Sequence, residues 1–152
     1  MKPSITDRIE KQILLRAPQS RVWRALTDAD EFGTWFRVKL HGPFALGHRI
    51  KGPLTYPGFE HIVMEVEVEQ MEAEHLFSFR WHPYAVDPGV DYSKEPRTLV
   101  EFRLETVGEG TLLRLVESGF DRLPPSRREE AFRMNDGGWT MQMQNIEHHV
   151  AR

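Results

Sequence analysis

The chain has 152 residues, 39% of them hydrophobic and 28% charged, with a formal net charge of -3 and no cysteine. That length supports one domain with a real core, spanning 1–152, and the balance excludes disorder, while the mild acidity argues against a protein dedicated to nucleic acid. The missing cysteine excludes disulfides, thiolate metal sites and cysteine nucleophiles. The opening MKPSITDRIEKQ has no apolar signal-peptide core, and no stretch approaches the ~18 apolar residues of a membrane span, so a cytoplasmic location without membrane insertion is expected.

Taken in order, residues 7–16 (DRIEKQILLR) alternate well enough for a strand, with Ile9, Ile13 and Leu15 on one face and Leu14 as the exception. Pro18 then suits the first position of a helix, PQSRVWRALT, which buries Val22, Leu26 and either Trp23 or Ala25. Asp28 is placed to cap a second short helix whose Phe32, Trp35 and Phe36 point inward. Residues 37–53 read as two short strands, RVKL and GHRIKG, and 53–60 as a loop. In HIVMEVEVEQM, Ile62, Met64, Val66 and Val68 oppose Glu65, Glu67 and Glu69, the alternation of a strand with one wet face. The next strand, 75–82, sets Phe77, Phe79 and Trp81 against Ser78, Arg80 and His82, and a hairpin near Glu72–Glu74 joins the two. Arg80 or Arg103 on a neighbouring strand could offset the repulsion among the three glutamates.

A loop rich in proline and acid, 83–96, interrupts the strands; connections of that length concentrate functional or mobile segments. Strands over 97–106 and 111–118 follow, joined at Gly108-Glu109-Gly110. The last stretch, from Leu123, is helical. Ser126 and Glu129 match a capping box, and Trp139, Met143, Ile146 and Val150 recur at helical spacing. The pair Gly137-Gly138 predicts a break between two helices, with Gly137 as a C-cap, or a close approach to a neighbour. An apolar stripe at the end of a strand-rich chain must cover something, and the concave face of an antiparallel sheet is the natural partner.

Few motifs carry chemistry. No GxSxG, phosphate-binding loop or dinucleotide fingerprint occurs. The histidines, including the adjacent His148 and His149, have no metal-ligand spacing, and Asp87, Asp91 and Glu95 lack the ordered pattern of a calcium loop. No metal and no cofactor is expected. The aromatic residues carry more. Trp35, Phe79, Trp81, Phe102 and Trp139 are the expected walls of an apolar cavity between sheet and C-terminal helix, joined there by Met143 and by the polar Asn135 and Gln142, with His149 near the seam. Its mouth is expected near the short helices and the 53–60 or 83–96 loops.

The segment IEKQILLRAPQSRVWRALTDADEFGTWF, the turn region 47–52 and the closing GWTMQMQNIEHHV resemble the START/Bet v 1-like (SRPBCC) superfamily, within it the branch related to the C-terminal domain of the Hsp90 ATPase activator. The resemblance covers nearly the whole chain. It implies an α+β helix-grip fold: a curved antiparallel sheet of six to seven strands around a long C-terminal helix, with two short helices after the first strand. It also implies a binder of a small apolar molecule, lipid-like or aromatic, ahead of an enzyme, although some members of the superfamily are cyclases or hydrolases. The alternatives are a protein-interaction module related to Hsp90 co-chaperones and a cyclase- or hydrolase-like enzyme acting on an apolar substrate. A buried, strongly perturbed titratable group in the cavity would favour the enzyme, and a large exposed apolar patch the interaction module. No nucleic-acid partner is expected, a homodimer is left open, and a chaperone partner is disfavoured because no co-chaperone N-terminal domain fits before Asp7. The superfamily has no universal catalytic set to carry onto these positions.

Overall fold

The computed structural model of the chain describes residues 7–151. Its first strand, β1 (Arg8–Leu15), buries Ile9 and Leu15 and leaves Leu14 exposed. Two short helices follow, α1 (Gln19–Thr27) and α2 (Ala29–Phe36). Pro18 is the N-cap of α1 rather than its first helical residue, and Ala25, not Trp23, completes the buried face with Val22 and Leu26. Asp28 caps α2 as its sequence position suggests, one carboxylate oxygen accepting from the backbone N–H groups of Asp30 and Glu31 at 3.0 Å each. Phe32, Trp35 and Phe36 are then buried.

The remaining strands are β2 (Arg49–Pro53), β3 (Val63–Glu72), β4 (Leu76–Trp81), β5 (Thr98–Val107) and β6 (Gly110–Ser118). They form a six-stranded, curved antiparallel sheet in the order β1-β6-β5-β4-β3-β2. The segment RVKL, expected as a strand, is not one. Arg37 and Val38 both donate to the Gly33 carbonyl at the end of α2, and Val38 makes only an isolated bridge to Leu54. The segment instead runs close along β2, where Lys39 donates to the Pro53 carbonyl at 2.9 Å. Gly52 permits that approach, since a Cβ there would overlap the Lys39 carbonyl. GHRIKG contributes only its later residues to β2.

On β3, Met64, Val66 and Val68 are buried, while Ile62 lies just outside the strand. The glutamate stripe beside them is answered by arginines from three directions: Arg49 near Glu65 and Glu67, Arg97 on Glu67 at 2.7 Å, and Arg80 on Glu69 at 2.9 Å. Arg103 pairs instead with Glu101. Ser78 was expected on the wet face of β4, yet it is fully buried. Its register partners on the flanking strands are the longer Gln70 and Glu101, and its hydroxyl lies 3.5 Å from Gln70 Oε1.

The C-terminal helix α3 (Pro125–Val150) is continuous over 26 residues. Trp139, Met143, Ile146 and Val150 are buried as the stripe requires, with Ala131 and Gln142 beside them. Two local expectations fail here. The helix starts at Pro125, so Ser126 lies inside it and no side chain caps it, which removes the capping box. Gly137 and Gly138 neither break the helix nor admit a close neighbour; a Cβ at either would meet nothing within 4 Å. Two glycines cost a helix roughly 1–2 kcal/mol together, less than a stripe of four buried side chains returns. Because Gly137 is exposed and helical, Gly137→Ala is expected to raise stability by about 0.5–1 kcal/mol in a urea melt. A loss would mean that the backbone there is not helical.

Between sheet and α3 lies an aromatic core centred on Phe79, whose ring contacts Phe32, Phe77, Trp81 and Phe102 at centroid distances of 6.3, 5.9, 5.4 and 6.1 Å. No helix of the described residues is long and apolar enough to cross a membrane.

Candidate functional site

Alternation along β6 sends Thr111, Leu113, Leu115 and Glu117 to one face, and all four are buried. Three of them belong in a core. The fourth is a carboxyl with no exposed surface, lying in register between Val100 of β5 and Ile9 of β1. Four neutral groups donate to it. Oε2 accepts from Trp81 Nε1 at 2.7 Å and from the Thr98 hydroxyl at 2.6 Å, and Oε1 accepts from Trp139 Nε1 at 2.8 Å. Asn135 Nδ2 bridges both oxygens at 3.0 and 3.2 Å. Burial pushes the Glu117 pKa up, and the four hydrogen bonds oppose the rise only in part, with no salt-bridge partner among the described residues to help them.

These donors come from β4, β5 and α3, so one buried carboxyl on β6 ties two other strands together and fastens the helix to the sheet through two residues, Asn135 and Trp139. It also fixes the orientation of Trp81, Asn135 and Trp139. Both Trp81 and Asn135 are walls of an adjoining pocket of about 250 Å³, with Phe36, Leu54, Met64 and Tyr84. A shallower groove of about 100 Å³ shares Phe36, Trp81 and Asn135 and continues past Gly138, Trp139 and Gln142.

The loop 83–96 forms one side of the pocket, and Arg127 in the first turn of α3 holds it. The guanidinium donates to the Pro83 and Tyr84 carbonyls at 2.9 and 3.0 Å, pairs with Glu95 at 2.9 Å, and lies 4.6 Å over the Tyr92 ring. Tyr84 adopts a φ of 48°, a left-handed conformation uncommon for a bulky residue. His82, also on the pocket wall, has Nε2 3.2 Å from the Glu95 carbonyl, so that nitrogen carries the proton. Burial lowers its pKa and keeps the ring neutral near pH 7.

Of the residues expected to wall the cavity, the structure brings Trp81, Asn135, Trp139 and Gln142 together. Phe79, Phe102 and Met143 lie in the packed core beside them and do not line the pocket. Trp35 points elsewhere: its Nε1 donates to the Ala25 carbonyl at 2.8 Å, and the residue borders a separate polar hollow with Arg37, Asn145 and His148. His149 of the same hollow pairs with Glu31 at 2.9 Å. Among the described residues no group of acids and histidines is placed to hold a metal ion.

A curved antiparallel sheet gripping a long C-terminal helix, with a pocket at their seam, defines the START/Bet v 1-like helix-grip class, one of ligand-binding or polyketide-cyclase-like proteins. Within it the chain belongs to the family described as Activator of Hsp90 ATPase homolog 1-like protein, whose model matches residues 16–151. Comparison with curated protein sequences finds no match. Among solved structures, protein MLL2253 from Mesorhizobium loti is 26% identical over 95% of this chain and 97% of its own, with a TM-score of 0.75. DynU16, a protein of the dynemicin biosynthetic locus, is 23% identical at a TM-score of 0.73; 98% of this chain aligns with 48% of that one. The Aha1 dimer from Colwellia psychrerythraea is 17% identical over 94% of this chain and 95% of its own, at a TM-score of 0.71. The last two likenesses concern the fold alone.

Proposed function

We propose that the chain binds a small, largely apolar molecule in the pocket between β3, β4, the 83–96 loop and α3. One observation carries this reading. A hollow walled by Phe36, Leu54, Met64, Trp81 and Tyr84 stays open where a core built for stability alone would fill it. At about 250 Å³ it falls just below the roughly 300–1,000 Å³ usual for ligand sites, so an aromatic compound of modest size suits it better than a long acyl chain. The 53–60 and 83–96 loops lie where the ligand would pass.

Glu117 does not turn this reading into an enzymatic one. Its carboxyl has no exposed surface, and Trp81, Asn135 and Trp139 stand between it and the pocket. A group that cannot touch a substrate positions the wall instead of reacting.

Trp81 reports the test directly. A panel of small aromatic compounds should include some that quench tryptophan fluorescence saturably. Trp81→Phe should lose most of that signal, whereas Trp23→Phe, which alters a ring packed on Phe77 outside the pocket, should keep it. Equal quenching in both variants would place the ligand somewhere else.

A further inference from the structure

The polar groups of the pocket are unequally spent. Trp81 and Trp139 both use their indole N–H on Glu117, and Asn135 uses Nδ2 on the same carboxyl. Gln142 donates to the Phe36 carbonyl at 3.2 Å and accepts from Asn145 at 3.0 Å. His82 commits its N–H to the Glu95 carbonyl. The N–H donors of the two indoles, Asn135 and His82 are therefore consumed.

The acceptors are left over. The amide orientation of Asn135 is not arbitrary, because its oxygen cannot face the carboxyl oxygens of Glu117 without repulsion. Nδ2 must face them, which leaves Oδ1 with no protein partner among the described residues while the residue borders both pocket and groove. Neutral His82, protonated on Nε2, keeps Nδ1 as a second acceptor. Glu65 on the rim is the one charged side chain of the lining; its nearest cation, Arg49, lies 3.9 Å away and outside the lining. The nearby cations are already paired, Arg127 with Glu95, Arg97 with Glu67, and Arg49 more loosely with Glu65 and Glu67. The Tyr92 hydroxyl already accepts from the Asp87 backbone N–H at 3.1 Å and keeps its O–H as a donor, while the Tyr84 hydroxyl can serve either role. Behind the wall stands a buried carboxyl with no salt-bridge partner among the described residues.

A neutral hydrocarbon would leave these acceptors dry and unpaired, and an anion would meet them with repulsion. A cation would satisfy them and would gain from the rings as well. We propose that the pocket selects a small molecule with an apolar body and a protonated amine, its ammonium donating to Asn135 Oδ1 among the rings of Phe36, Trp81 and Tyr84. This rests on the pocket being the binding site argued above.

Four probes of similar shape separate the two readings by titration calorimetry at pH 7.5 on the full chain: phenethylamine, phenethyl alcohol, propylbenzene and hydrocinnamate. Phenethylamine should bind about tenfold or more tighter than propylbenzene, with the alcohol between them and hydrocinnamate weakest. In Asn135→Leu, which keeps the wall and removes the acceptor, the preference for the amine over propylbenzene should collapse. Propylbenzene or hydrocinnamate binding as tightly as the amine overturns the selection for a cation and leaves the pocket as a binding site. So does an amine preference that survives Asn135→Leu, or Asn135→Ala should the leucine variant not fold. If none of the four binds, the pocket reading falls, and the inference falls with it.

Discussion

Replacing Glu117 by leucine should destabilise the protein by about 2–6 kcal/mol, although it puts a hydrophobic residue into a hydrophobic place. The cost comes from the donors. Thr98 can turn its hydroxyl and Asn135 can turn toward the pocket, but the indole N–H groups of Trp81 and Trp139 are fixed by packed rings. Two stranded N–H groups at roughly 1–3 kcal/mol each give the range. An urea melt showing a change below 1 kcal/mol would mean that the carboxyl does not fasten α3 to the sheet. Glu117→Gln supplies the pH test. With the folded-state pKa above the ordinary value of 4.5, the unfolded chain gives up its proton first as pH rises. Glutamate thus contributes stability that is fully present below that ordinary value and lost as pH rises through the folded-state pKa. The stability difference between wild type and Glu117→Gln should therefore move against the wild type across that interval, then level off. Movement in the opposite direction would show a carboxyl held below its ordinary pKa.

Phe79→Ala should cost about 3–5 kcal/mol, among the larger single losses available in this core. Its ring has no exposed surface and meets four others, so truncation removes apolar burial and leaves a void that those rings can only partly fill. A loss under 1 kcal/mol would indicate a core already loose at its centre. Reduced ligand affinity with stability unchanged would move Phe79 out of the core and onto the pocket wall.

The fold was legible wherever side-chain period and burial coincide. The run Met64, Val66, Val68 and the stripe Trp139, Met143, Ile146, Val150 announce a half-wet strand and a helix lying on a sheet, and Asp28 announces its helix through a local capping bond. Failures came where a local preference was weaker than its tertiary surroundings. The Gly137-Gly138 pair reads as a break only if helix propensity decides; packing of α3 on both sides outweighs it. Ser78 reads as wet only if the strand is considered without its longer neighbours.

The site was less legible, and Glu117 shows why. Alternation with Leu113 and Leu115 already places a carboxyl on the inward face of the last strand, a signal that could have marked it. Its meaning depends on Trp81, Thr98, Asn135 and Trp139, which lie 36, 19, 18 and 22 residues away on other elements. Trp81, Asn135 and Trp139 were recognisable one at a time, but nothing in their spacing says that their donors converge on a single acid. Trp35, Phe79 and Phe102 look the same in sequence as Trp81 does. Only packing separates rings that fill a core from a ring that borders a hollow.

Sheet order has a consequence for how the chain is made. β1 is made before the other described strands, yet among them its neighbour is β6, with Arg8 opposite Ser118 and Leu15 opposite Thr111. About a hundred residues must be synthesised before that partner exists, which at ~5–20 residues per second is ~5–20 s. Throughout that interval Ile9, Ile13 and Leu15 have no sheet to join, while the β3–β4 hairpin can already close. The earliest-made of the described strands is thus among the last to find its place, and a nascent chain stalled before Gly110 would carry β1 as an unpaired, apolar strand edge available to chaperones or to another copy of itself.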